Sequence, residues 1–109
     1  MNMDKEKELE LAYEALSADE EFALTKAVQD KGTDCDEMKR LREVYDRFVT
    51  SIAKEYLDEG LSLDKLVEAG KAGLAKAALK YDHSRGFRFI SYAVWWIRQS
   101  IMQAIEEKK

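Results

Sequence analysis

Apolar residues along this chain recur every three or four positions, and no stretch of strand length alternates with period two. The strongest stripe is Met38, Leu41, Tyr45, Phe48, Ile52 and Tyr56, which predicts an amphipathic helix of about five turns. Gly60 stops it, and Thr33 or Asp34 is placed to cap its start. Upstream, a first helix is expected over about residues 5–16, with Leu9, Tyr13 and Leu16 on one side. Ser17 followed by Glu20 has the form of a capping box and opens a second helix that ends at Gly32. Ser62 can cap a fourth helix running to about Lys80, with Leu66, Val67, Leu74 and Ala78 inward. A short loop over 82–86 then leads to a last helix from near Ser91 to about Glu107. The fold expected is all-α, a compact bundle of about five helices.

Between Ala69 and Ala78 nearly every residue is Ala or Gly apart from Lys71, Leu74 and Lys76, so another helix can approach this face closely. With 109 residues there is room for one core. The whole chain is therefore read as one helical domain, with leading helices over 1–34 and the core over 35–109. No proline and 37% charged residues suit long helices, and no apolar run reaches the ~18 residues of a membrane span. The N-terminal ten residues lack the apolar stretch of a signal peptide, so a cytoplasmic location is expected and no membrane contact. Cys35 is the only cysteine, which excludes an internal disulfide and a cysteine-based zinc cluster; it reads as a helix-start residue. His83, the only histidine, reads as a solvated loop residue without a second ligand. No metal or cofactor is expected.

Net charge is −4, but the mean conceals a division. Residues 1–69 carry 19 acidic and 10 basic side chains, whereas residues 70–105 carry six basic ones against Asp82 alone. A basic segment beside an acidic one attracts phosphate locally and screens itself elsewhere. The basic part contains RGFRFISYAVWWIRQ at 85–99, with five aromatics and three arginines in fifteen residues. Adjacent helical positions lie about 100° apart, so Trp95 and Trp96 cannot both point squarely into one core. Tyr92, Trp95, Gln99 and Met102 share one stripe, while Ala93, Ile97, Ser100 and Ile101 form a face suited to packing. An aromatic row flanked by Arg85, Arg88 and Arg98 is the arrangement that binds single-stranded nucleic acid, rings stacking on bases and cations holding phosphates. The plainer reading makes these rings the core of a small bundle. The acidic half shows no paired-carboxylate, glycine-loop or nucleophile–base pattern, so no enzyme is expected.

These residues also carry a family resemblance. From about Arg47 to Ile105 the chain resembles, without a gap, region two of primary (sigma-70) sigma factors of bacterial RNA polymerase. SIAKEY at 51–56, RGFRF at 85–89 and SYAVWWIRQ at 91–99 are its most specific parts. ISYAVWWIRQSI at 90–101 is similar in style to sigma factors of the Bacteroidetes, and residues 17–27 resemble the helix that leads into region two. The resemblance implies a domain that recognises and melts the minus-ten promoter element by trapping unpaired non-template bases, directing RNA polymerase to promoters. It implies that Phe87, Phe89, Ser91, Tyr92, Trp95 and Trp96 form the melting surface, with the tryptophans as a wedge at the upstream fork. Arg85 would lie near a flipped base, Gln99 would read the last paired position, and Lys76, Arg88 and Arg98 would hold phosphates.

The resemblance further implies docking on a coiled coil of the polymerase β′ subunit through the fourth helix, at Lys65, Glu68, Ala69, Lys71 and Ala75. Family members usually carry Asp, Gln, Glu and Asn where Lys65, Glu68, Ala69 and Lys71 stand here. Met102 replaces a threonine, and Tyr45 replaces the usual asparagine. These departures leave an alternative open, a sigma-like interaction protein that binds an anti-sigma factor or polymerase without opening promoters.

Overall fold

The computed structural model describes the backbone of residues 3–108 and the side chains of residues 9–108. Among the described residues the fold is all-α, with six helices and no strand. They are α1 (Met3–Ala15), α2 (Ala18–Lys31), α3 (Asp36–Val44), α4 (Asp46–Lys54), α5 (Leu63–Lys80) and α6 (Phe89–Lys108). Single 3-10 turns at Leu57–Glu59 and His83–Arg85 precede α5 and α6.

Local chemistry sets most of the boundaries. Ser17 and Glu20 form both bonds of the capping box at the start of α2, 3.1 and 2.9 Å long. Gly32 closes the same helix at φ +89, where a side chain would be strained. The Ser62 hydroxyl accepts the Lys65 N–H at the start of α5. Neither Thr33 nor Asp34 caps α3; Cys35 takes that place and makes no side-chain cap.

The long third helix expected from the stripe is two helices that meet at Tyr45, which is why there are six rather than five. Tyr45 sits at φ −101, ψ 12, off the helical basin. Its N–H still bonds Leu41 and its carbonyl still accepts Val49, so the apolar face carries across the bend. Met38, Leu41, Tyr45, Phe48 and Ile52 are accordingly all buried, with Tyr56 half-buried at the end. Val44 and Tyr45, one β-branched and one aromatic, are weak helix formers, so a bend there costs little.

α5 and α6 are the most intimate pair. The small residues Gly70, Gly73, Ala77 and Ala78 of α5 are buried, and Gly70 and Gly73 face Ile97 of α6. A methyl group on Gly73 would lie 2.5 Å from the Trp96 carbonyl oxygen and 2.8 Å from Ile97 Cα. Opposite them, Ala93, Ile97, Ser100 and Ile101 pack inward as their spacing requires. α2 crosses both ends of the loop that joins α5 to α6. The Gln29 amide donates to the carbonyls of Ala78 and Tyr81 at the end of α5, and the Glu21 carboxylate accepts the N–H of Phe89 at the start of α6.

Candidate nucleic-acid interface

The outward side of α6 and the loop before it carry a connected tract of rings. Trp95 is 57% exposed and stands nearly perpendicular to Trp96, with centroids 5.2 Å apart. Trp96 meets Tyr92 edge-on at 6.3 Å, and Tyr92 lies 5.7 Å from Phe87. Tyr81, at the end of α5, is the hub, 6.0 Å from both Phe87 and Tyr92 and 5.4 Å from Phe89. Its hydroxyl donates to the Phe87 carbonyl, which fixes the loop, and burial raises its pKa. Gly86 at φ +86 turns the chain back into Phe87. Beyond Tyr81 the rings continue to His83, which is exposed and stacks on the exposed Phe22 of α2 at 4.2 Å.

Spacing within α6 explains which rings face outward. Trp95, Gln99 and Met102 are exposed along one side, and Tyr92 and Trp96 are half-buried at its edge. Ser91 is exposed, and its hydroxyl is bonded to the Tyr13 hydroxyl of α1. Phe89 corrects the expectation made for it. It is 0% exposed, packed between Tyr81 and Tyr45 in the core, and offers no surface. Its inward position follows from α6 beginning at Phe89 rather than near Ser91. With the helix extended back to Phe89, that residue falls four positions before Ala93 and so shares its buried face, with Ile90 beside it.

The cations divide into two sets. Lys76 and Arg85 are exposed, and Lys80 lies over the Trp96 ring at 6.0 Å from its centroid. Arg88 and Arg98, expected to hold phosphates, point instead at acids of the protein. Arg88 Nε donates to Glu21 Oε1 at 2.7 Å, while its terminal nitrogen donates to the carbonyls of Tyr13 and Leu16. Arg98 donates to both Glu55 oxygens, at 2.9 and 3.4 Å, and to the Tyr56 hydroxyl. Both guanidinium pKa values are raised, first of all by these carboxylate bonds. Arg88 and Arg98 thus brace α6, while Lys76, Lys80 and Arg85 are exposed, and of these Lys80 lies over a ring. Lys80 and Tyr81 went unnoticed in the sequence because they precede the aromatic run. Their signal was a Lys–Tyr pair placed directly before the loop.

The five residues expected to meet polymerase do not share one surface feature. Lys65, Glu68 and Ala69 line a shallow groove of about 250 Å³ between α5 and the end of α6, together with Leu61, Ala72 and Ala104. Lys71 forms an ion pair with Asp46 of α4 at 3.1 Å, and Ala75 is half-buried further along α5.

This all-helical core, with its ring-bearing last helix, belongs to a known family: residues 41–109 match Sigma-70 region 2, and the chain is a member of it. RNA polymerase sigma factor SigA of a Bacillus species is 44% identical over 93 residues, which is 85% of this chain and 24% of that protein. SigA of Listeria monocytogenes gives the same figures, and SigA of a Nostoc species is 50% identical over 62 residues, 57% of this chain and 16% of the relative. The chain thus spans about a quarter or less of the length of these relatives. None of the described helices is long and apolar enough to cross a membrane.

Proposed function

We propose that this domain recognises the minus-ten promoter element and separates its strands, capturing unpaired non-template bases on α6 during transcription initiation, with RNA polymerase core as its partner. The observation that carries the reading is Trp95. A large apolar ring 57% exposed, set edge-on to a second tryptophan and continued by Tyr92 and Phe87, has no packing role that accounts for it. Unstacking a base costs a few kcal/mol, and stacking on a protein ring returns about 1–3 kcal/mol per base. A row of rings can therefore hold several bases open at once, provided that cations meet the phosphates between them. Lys76, Lys80 and Arg85 supply that charge, and the perpendicular tryptophans form the wedge at the fork. Gln99 and Met102 extend the same side of α6 toward the remaining duplex. The β′ coiled coil would dock along α5 at Lys65, Glu68, Ala69, Lys71 and Ala75, clear of the rings. The reading assigns the domain no catalytic step and places it in the cytoplasm.

Both tryptophans of the chain lie on this face, so intrinsic fluorescence reports on it directly. A single-stranded minus-ten oligonucleotide should quench the emission, and Trp95→Ala should remove most of the binding. The same change should leave thermal stability nearly unchanged, because the ring is largely in solvent. Equal affinity of Trp95→Ala and wild type would overturn the reading.

A further inference from the structure

The geometry points to Glu21 as the positioning residue of the aromatic face: from α2, ahead of the segment 41–109 that matches Sigma-70 region 2, it sets the first turn of α6 and thereby the spacing of the rings. This deepens the nucleic-acid reading and rests on it.

Glu21 is 0% exposed, and both its oxygens are occupied. Oε1 accepts from Arg88 Nε at 2.7 Å and from the Phe89 N–H at 3.2 Å. Oε2 accepts from the Tyr45 hydroxyl at 3.0 Å. Three parts of the fold converge on one carboxylate, namely the bend between α3 and α4, the entry to α6 and, through Arg88, the last carbonyls of α1. Helix-entry N–H groups have no partner within their own helix, and negative charge at that end is favoured. Glu21 supplies both the acceptor and the charge.

What the carboxylate fixes is adjacent to the rings. Arg88 follows Phe87 directly, and Tyr92 lies one turn into α6, with their rings 5.7 Å apart and Trp96 a further turn on. Sliding or rotating the first turn would change how Phe87 and Tyr92 stand relative to each other, and both belong to the proposed row of base-stacking rings. A buried ion pair contributes little net stability compared with apolar packing, so its value here lies in geometry. Its presence is also unexpected on packing grounds: on α2 the buried residues are Glu21, Thr25 and Val28, and the first of these is a position an apolar residue would fill.

The test uses the 109-residue chain with Glu21→Gln, Tyr45→Phe, Trp95→Ala and the double variant Glu21→Gln/Trp95→Ala. Helix content by circular dichroism establishes that each is folded, and tryptophan quenching measures affinity for the single-stranded minus-ten oligonucleotide. Glu21→Gln should bind about two- to thirtyfold more weakly. The losses from Glu21→Gln and Trp95→Ala should not add, as expected of residues that act through one surface. Unchanged affinity of folded Glu21→Gln, or strictly additive losses, would overturn the assignment. Should Glu21→Gln not fold, Tyr45→Phe keeps the ring and removes only its bond to Oε2; a smaller loss supports the assignment, and no loss refutes it. If the wild-type chain binds no oligonucleotide, the nucleic-acid reading fails by itself. Positioning is then decided by amide hydrogen exchange at Phe89 and Ile90, which should speed up in Glu21→Gln; unchanged exchange there would refute it.

Discussion

Replacing Gly73 by alanine isolates the closest approach in the fold. In an open helix the change would stabilise by about 1 kcal/mol, because glycine is the poorer helix former. At Gly73 the new methyl would meet the Trp96 carbonyl oxygen at 2.5 Å, Ile97 Cα at 2.8 Å and the Ser100 hydroxyl at 2.9 Å. Two of these are backbone atoms in the middle of α6, which cannot turn away as a side chain can. Forcing extra volume into a packed contact costs about 1–3 kcal/mol or somewhat more, so the net loss expected is about 2 kcal/mol. For a domain of this size that lowers Tm by roughly 8 °C or more. Gly70→Ala is the internal comparison. Its methyl would crowd Val49 Cγ1 at 2.7 Å, but its other neighbours stand at 3.4 Å and beyond. Its net effect should stay within about 1 kcal/mol, since propensity offsets one crowded methyl. Urea denaturation of the three proteins gives both differences. The reasoning fails if Gly73→Ala is as stable as wild type, or if Gly70→Ala is the worse of the two.

Further outcomes follow from the caps and charges. Ser17→Ala removes half of the capping box and should cost about 0.5–2 kcal/mol by denaturation. Glu20 is held below its ordinary value of 4.5, first by the Ser17 N–H and then by the Ser17 hydroxyl. Its contribution is therefore complete above that value and disappears as pH falls through the lower folded-state pKa. Acid titration of stability should accordingly be flatter in Glu20→Gln than in wild type; identical profiles would refute the linkage. In oligonucleotide titrations at several salt concentrations, Lys76→Ala, Lys80→Ala and Arg85→Ala should each shallow the log–log salt slope by about 0.7. Arg98→Ala should leave that slope unchanged, because its charge faces Glu55; a shallower slope would mean that Arg98 leaves Glu55 for phosphate.

What could be read from the sequence was what local chemistry decides. The Ser17 and Ser62 caps, the close-packing stretch of Ala and Gly, and the inward face of Ala93, Ile97, Ser100 and Ile101 all depend on neighbours within a turn or two. The entry to α6 was misplaced because the group that completes it, Glu21, lies 68 residues away along the chain. The surface place of Phe89 was implied by the family resemblance, and burial against Tyr81 and Tyr45 overrules it. Arg88 and Arg98 show a similar limit: their spacing among rings is informative, but their direction is decided by acids 67 and 43 residues distant. The bend at Tyr45 was hidden because the apolar stripe continues through it without a change of phase. That one of the two tryptophans meets the surface, by contrast, followed from helix geometry alone; that it is Trp95, 57% exposed, is what the structure adds.

α2 acts as a splint across the joint between α5 and α6. Gln29 holds the last carbonyls of one helix, and Glu21, eight positions earlier, holds the first N–H of the other. Arg85 and Phe87 ride on the short span between those two fastenings. Any partner or modification that lifted α2 would fray both helix ends together and slacken that span, while leaving every ring of α6 chemically intact. If α6 holds an opened strand as proposed, that hold can be loosened from the side of the molecule that does not carry the tryptophans.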